Sequence, residues 1–304
     1  MENNKKNKSK IPSIILIIIL IGILGFIFYL KYQENQLAHN KIINQNLVTN
    51  GSGLYADTYE TGLNEKEPFS SKYYFSGAKI NNYLLLDNNC FRIINIAQNE
   101  TIKIMHVGIT KNQTCKNLET TKTIIPWDEK NSNNWEESSL KTYLEEWLKD
   151  IKLSKSSYIV KSATWYLGGI QFFANGNLTE DIKMERDEES KYNGIIGIIN
   201  TSDFMKASGI RPINKHGAFY DGCVKTGPYY YEDNYLHTGN KIWTMNKTLG
   251  DKDRVWALEN NILESKYTDN KDFHTYPVVY LKDNLKLKGK GTIENPYVII
   301  ENEE

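Results

Sequence analysis

The pattern of apolar and polar positions divides the chain into one uninterrupted apolar run and a long mixed remainder. Residues 11–30 read IPSIILIIILIGILGFIFYL, twenty positions without a charge. A helix of this length spans about 30 Å, the thickness of a bilayer's hydrocarbon core. Only a helix satisfies the backbone of such a segment in lipid. The pattern therefore predicts a transmembrane helix at residues 11–30.

The charges on either side of the run predict its orientation. Residues 1–10 contain four lysines and one glutamate, whereas Lys31 and Glu34 after the run nearly cancel. By the positive-inside rule, residues 1–10 form a cytoplasmic tail and the bulk of the chain lies outside the cell membrane, so the protein is single-pass. A cleaved signal peptide is the alternative. The run is longer than a signal's apolar core and ends in FIFYL, without a small-residue cleavage pattern, which favours the uncleaved anchor.

Beyond the run, short apolar segments separated by turn residues predict β strands. Residues 31–50 are polar and are interpreted as a stalk, and residues 51–304 as one extracytoplasmic domain. Turn-like residues at 87–89 and 98–100 separate three of the early strands, as in an antiparallel meander. The predicted strands are residues 72–75, 83–86, 90–97, 101–107, 195–199, 241–245, 254–258, 276–281 and 296–300.

Two helices are predicted within this domain, so the fold class is α+β. The longer one has an apolar stripe at i, i+3, i+4, i+7, i+8 and i+11 over residues 140–151, with Ser138 or Ser139 as its N-cap. A shorter helix begins at residues 201–203 and ends near Gly209. The charge run at residues 183–191 is interpreted as a solvated loop or helix face.

Composition narrows the possible partners. Net charge is 0, so the excess of three positive charges in residues 1–10 leaves −3 for the remainder, which argues against nucleic acid as a partner. Hydrophobic residues make up 40% of the chain, which predicts a folded core. The three cysteines, at positions 90, 115 and 223, allow one disulfide and leave one thiol. Neither the cysteines nor the five histidines have zinc-ligand spacing, so no metal or other cofactor is expected.

A series of short motifs, in one order along residues 51–300, resembles an uncharacterised cell-surface domain family of low-GC Gram-positive bacteria. We associate that family with the C-type-lectin-like fold, which formylglycine-generating enzymes share. The motifs are GLYADTYE at residues 53–60, NNYLLLDNNCFRII at 81–94, SSLKTYL at 138–144, IGII at 196–199, WTM at 243–245, PVVYL at 277–281 and GKGTIENPYVI at 289–299.

The resemblance implies a fold and a disulfide but no activity. Members of the family often have cysteines at the positions of Cys90 and Cys115, which also lie near neighbouring predicted strands, so we expect a bridge between them. The calcium-binding motifs of lectins (EPN, QPD and WND) are absent. Only Cys223 lies in the later half of the domain, so the cysteine pair of formylglycine-generating enzymes is absent as well.

The sequence contains no recognised catalytic motif: it lacks a G-x-S-x-G elbow, a Gly-rich phosphate loop and H-E-x-x-H. Aromatic residues among Asn and Asp suit sugars and protein hot spots, although core packing also accounts for them. We therefore expect a membrane-anchored binding or adhesion module for glycan or protein. An extracytoplasmic enzyme acting on the cell envelope is the alternative. The candidate ligand-binding residues are Tyr229, Tyr230, Tyr231, Asp233, Asn234, Tyr235 and Trp243.

Overall fold

The computed structural model describes residues 11–59, 67–119, 123–171, 178–187, 189–208, 233–236, 238–259 and 262–300. Their fold is mixed α+β, as the sequence predicts, with mostly antiparallel sheets. The largest sheet has eight strands: β1 (Gly53–Ala56), β2 (Ser71–Ser76), β3 (Tyr83–Leu86), β4 (Asn89–Ala97), β5 (Ile102–Ile109), β11 (Val278–Leu281), β12 (Leu287–Lys288) and β13 (Tyr297–Ile299).

Strand β4 lies at the centre of this sheet. It pairs with β5 along one edge, and with β3 and then β2 along the other. All nine of its residues are buried. The tight turns on either side contain Asp87 and Glu100, both with positive φ, where the sequence predicts breaks between strands. Most of the β2–β5 meander was therefore predictable, whereas the parallel pairing of β13 with β3 was not.

Two smaller sheets complete the domain. One has three antiparallel strands, β8 (Ile242–Lys247), β9 (Arg254–Glu259) and β10 (Ile262–Tyr267). The other pairs β6 (Ala163–Tyr166) with β7 (Lys191–Gly194). The prediction of a strand at residues 195–199 was wrong. These residues follow β7 as an irregular buried segment, in which Gly197 exchanges backbone hydrogen bonds with Val278 of β11.

Two helices of the domain form where the sequence predicts them. Helix α3 (Ser139–Asp150) begins where the side chain of Ser138 accepts a hydrogen bond from the backbone N–H of Lys141, the predicted cap. The helix buries one side against the core through Leu140, Leu144 and Leu148. Helix α4 (Leu178–Glu185) and helix α5 (Thr201–Ala207) lie in the second half.

The apolar run forms helix α1 (Ile11–Asn35). Within it, Ile15–Asn35 is long and apolar enough to cross a membrane, and its most apolar window is completely exposed. The region predicted as a stalk is instead mostly packed: helix α2 (Ala38–Asn46) buries Ala38, His39 and Ile42 against the domain. The backbone N–H of Ala38 donates to Leu285 O at 2.7 Å. Only about seven residues therefore separate the apolar run from the packed domain.

The predicted disulfide is confirmed: Cys90 and Cys115 are bonded, with Cα atoms 5.8 Å apart. Cys90 lies on β4 and Cys115 in the loop after β5. Together with Leu85 they form a small buried cluster apart from the main core. Cys223 lies outside the described residues.

We predict that replacing both Cys90 and Cys115 by alanine lowers the free energy of unfolding by about 3.5 kcal/mol. On the chain-entropy model, this is the effect of releasing a loop with a sequence separation of 25 residues. Denaturant unfolding of the full chain in detergent measures the loss. As a control, non-reducing peptide mapping of the Cys223→Ala variant should still find the linked peptides. A bridge that includes Cys223 in the wild-type chain would contradict the assignment.

His106, on β5, connects the sheet to helix α3. Its ring packs edge-on against Phe91 and Trp147, with centroids 5.3 Å and 4.9 Å away. Its Nε2 lies 3.1 Å from Asn89 Oδ1. Burial lowers the pKa of His106 to about 4, because the charged ring would lose its hydration. The ring is therefore neutral in the folded protein at ordinary pH.

This burial makes stability depend on pH. Unfolded His106 takes up a proton near pH 6.5 but the folded form only near 4, so its contribution is complete above pH 6.5 and is lost as the pH falls towards 4. The loss corresponds to about 3 kcal/mol. We predict that the wild-type chain loses this much stability relative to His106→Gln in denaturant titrations between pH 7 and 4. Parallel pH profiles of the two proteins would refute the prediction.

Candidate functional site

The structure divides the predicted ligand-binding residues into three groups. Tyr229, Tyr230 and Tyr231 lie outside the described residues. Asp233 is exposed and Asn234 is buried. The two described aromatic residues are also buried, Tyr235 at 7% exposure and Trp243 at 0%. Neither aromatic ring therefore belongs to an exposed surface.

The buried members have definite packing roles. The indole N–H of Trp243 donates to Ile125 O at 2.8 Å, and the ring stacks on Phe273 with centroids 4.3 Å apart. Asn234 Nδ2 donates to Phe204 O at 2.7 Å. The hydroxyl of Tyr235 donates to Ile93 O of β4 at 3.3 Å, and burial raises the pKa of this phenol. These contacts show that the three residues belong to the buried core.

We predict that Trp243→Ala lowers the free energy of unfolding by about 3–5 kcal/mol, because it removes a fully buried indole and leaves a cavity. Asp233→Ala, at an exposed position, should change stability by no more than about 0.5 kcal/mol. Thermal or denaturant unfolding of the full chain compares the two. A Trp243 variant as stable as the wild type would show that its side chain is not core.

Beneath Tyr235 lies a residue that the sequence analysis did not select, Arg92 of β4. Its guanidinium carbon lies 4.1 Å from the centroid of the Tyr83 ring and 5.0 Å from that of Tyr235. Its Nε donates to Asn82 Oδ1, and its Nη1 donates to the Tyr83 hydroxyl at 2.9 Å. Nη2 is buried and has no hydrogen-bond partner among the residues that the structure describes. Arg92 is thus a cation held rigidly among neutral groups.

Arg92 lines a surface cleft of about 320 Å³, here named the Arg92 cleft. Burial lowers the pKa of its guanidinium, while the two tyrosines oppose that shift. A guanidinium nonetheless remains charged at ordinary pH. The other lining residues come from the β2–β3 connection, the start of β3 and the loop before β13: Ala78, Lys79, Ile80, Asn81, Tyr83, Thr292, Ile293 and Glu294.

A second cleft, of about 260 Å³, lies beside Trp135. Its walls include Lys191, Lys247 and Glu189. The indole N–H of Trp135 is buried without an acceptor. Lys191 is already paired with Glu67 at 2.6 Å, and Lys247 Nζ is 3.4 Å from Ser190 Oγ. This cleft offers a neutral donor and acids of its own, so it attracts a charged ligand less than the Arg92 cleft does.

Acidic groups that could perform catalysis converge on helix α5, but they are enclosed. Glu185 accepts hydrogen bonds from Ser202 Oγ at 2.6 Å and from Thr201 Oγ1 at 3.2 Å, and burial raises its pKa. Asp203 and Asp57 form ion pairs with buried lysines. The three carboxylates are between 0% and 7% exposed. They lie inside the fold and not in either cleft.

The burial of Glu185 corrects the interpretation of the charge run. Residues 183–191 were expected to form a solvated loop or helix face, and Lys183, at the end of α4, is exposed, but Glu185 points into the polar core. Among the described residues, no group of three or more His, Cys, Asp or Glu side chains could hold a metal ion.

No family model, curated protein or solved structure matches this chain. Function must therefore be argued from its own geometry. The sequence did contain a signal for Arg92, which is the one charged residue within the apolar strand CFRIINIA. A charge at the centre of such a strand requires either a partner or a function.

Proposed function

We propose that this protein is a membrane-anchored cell-surface module that binds a glycan or protein ligand. The observation that carries the proposal is the exposed apolar surface of α1 together with the packed domain that follows it. A soluble protein would bury such a helix, because the fourteen large apolar side chains exposed between Ile15 and Leu30 are costly in water. A bilayer removes that cost, and the disulfide suits an oxidising compartment outside the cell.

The connection between helix and domain is short and firmly held. Lys286 Nζ donates to Gln33 Oε1 at 2.6 Å, and Asn40 Nδ2 donates to Glu34 O at 3.1 Å. The five helical residues after the apolar run, 31–35, span about 8 Å. The domain therefore remains close to the membrane surface, and its ligand must come within reach of that surface. Many such modules on one membrane would gain avidity from weak single contacts.

The distribution of acids favours binding over catalysis. General acid–base chemistry needs carboxyl groups within hydrogen-bond reach of a substrate. The carboxylates around α5 are instead enclosed among their own partners. An extracytoplasmic enzyme acting on the cell envelope is the second candidate. A solvent-accessible pair of carboxyl groups would support it. The C-type-lectin-like fold stays a prediction from the sequence motifs.

We predict that the full chain sediments with membranes, and that protease added to whole cells removes residues 37–304. Replacing Leu20 and Ile21 by lysine should release the chain into the soluble fraction, because each central lysine opposes insertion by about 2.5–3.5 kcal/mol. Lysine at Tyr32 and Asn50, both exposed and outside the apolar run, is the matched control. A domain that stays protected while known surface proteins are cleaved would refute the orientation.

A further inference from the structure

Arg92 differs from the other deeply buried cations of the main domain. Lys103 forms an ion pair with Asp203, and Lys206 with Asp57 at 2.7 Å. Arg92 is only 8% exposed, yet among the described residues it has no carboxylate partner. A buried charge without a counter-charge costs several kcal/mol. In a fold that matches its buried lysines with aspartates, the unmatched arginine indicates that its counter-charge comes from elsewhere.

The charges around the Arg92 cleft favour the binding of an anion from outside the protein. Lys79 lies exposed in its lining and forms no ion pair within the described part of the chain. The acid in the lining, Glu294, is neutralised by Lys116 at 2.9 Å. The cleft thus presents two positive charges with no unpaired acid beside them. Its negative counterpart is absent from the described side chains.

We propose that the Arg92 cleft binds a compact oxyanion, a carboxylate or a phosphate, carried by the ligand of this module. The guanidinium carries charged N–H donors of the kind that both oxyanions accept, and its Nη2 has no partner among the described residues. Asn82 and Tyr83 hold the plane in place, so little freedom is lost on binding. The volume corresponds to about ten water molecules, enough for one sugar or amino-acid residue bearing the charge.

The inference rests on the proposed function only in taking the domain to be a binding module. It names the chemistry of the ligand, which the proposed function leaves as glycan or protein. Lys79 at the cleft surface attracts the oxyanion, and the guanidinium of Arg92 receives it.

The test measures binding to the full chain in detergent, by calorimetry and by thermal shift. The probes are inorganic phosphate and N-acetylglycine, with neutral N-acetylglycinamide as control, all at one ionic strength set with sodium chloride. We expect at least one oxyanion to bind in the millimolar range and to raise the melting temperature, and the neutral amide to do neither. Which oxyanion binds more tightly distinguishes a phosphate-bearing from a carboxylate-bearing ligand.

Variants connect the binding to the cleft. Arg92→Lys keeps the charge but loses the planar fork, so the affinity should fall about tenfold. Lys79→Gln, on the surface, should weaken binding about threefold without changing stability. Lys271→Gln removes an equally exposed lysine outside the cleft lining and should bind like the wild type. If Arg92→Lys does not fold, the oxyanion affinities of Lys79→Gln and Lys271→Gln decide whether binding occurs in the cleft.

Two results would overturn the inference. One is that neither oxyanion binds or stabilises the wild-type chain. The other is that binding occurs but is equal in Lys79→Gln and Lys271→Gln, which would place it elsewhere. Both are distinct from failure of the proposed function, because a chain correctly inserted in membranes can still lack affinity for oxyanions. If Arg92 is only structural, its variants change stability while the wild type shows no oxyanion-dependent shift.

Discussion

Strand β4 is hydrogen-bonded along both edges and covered on both faces, and most of the domain is arranged around it. A strand so placed has little contact with bulk water, so each polar side chain on it needs a hydrogen-bond partner. Asn89 meets His106, and Asn95 Nδ2 donates to Asp203 Oδ1 at 3.3 Å. Arg92 meets only neutral groups. Among the described residues, the same constraint thus identifies Arg92 as the buried charge of β4 that has no carboxylate partner.

Buried charge elsewhere is organised around helix α5. Lys103 reaches across from β5 to Asp203, and Lys206 reaches Asp57 beyond β1. Breaking one member of such a pair leaves an uncompensated buried charge, which typically costs about 3–5 kcal/mol. These contacts fix how a short helix sits against two strands of the large sheet. We interpret these two ion pairs as determinants of the fold, because both side chains of each pair are buried and their charges balance.

The connection between helix α1 and the packed domain is short. Helix α2 is held to the domain by buried side chains and by Tyr297, whose hydroxyl lies 2.8 Å from both Asn46 Nδ2 and Gln45 Oε1. On the anchoring proposed above, a preorganised site suits a ligand that is itself held at the membrane surface, because the loss of freedom on binding is then smaller.

The sequence alone determined the features that depend on local pattern: the apolar helix, the β2–β5 meander with its turns, and helix α3 with its Ser138 cap. It also indicated the disulfide. Only the tertiary structure decided which aromatic residues are core. The sequence allowed both an exposed site and core packing for Tyr235 and Trp243, and contacts with residues distant in sequence decided for the core. The importance of Arg92 likewise became visible only in the folded chain. A charged residue in a buried strand costs free energy unless an opposite charge lies beside it, and the sequence does not show which side chains become its neighbours.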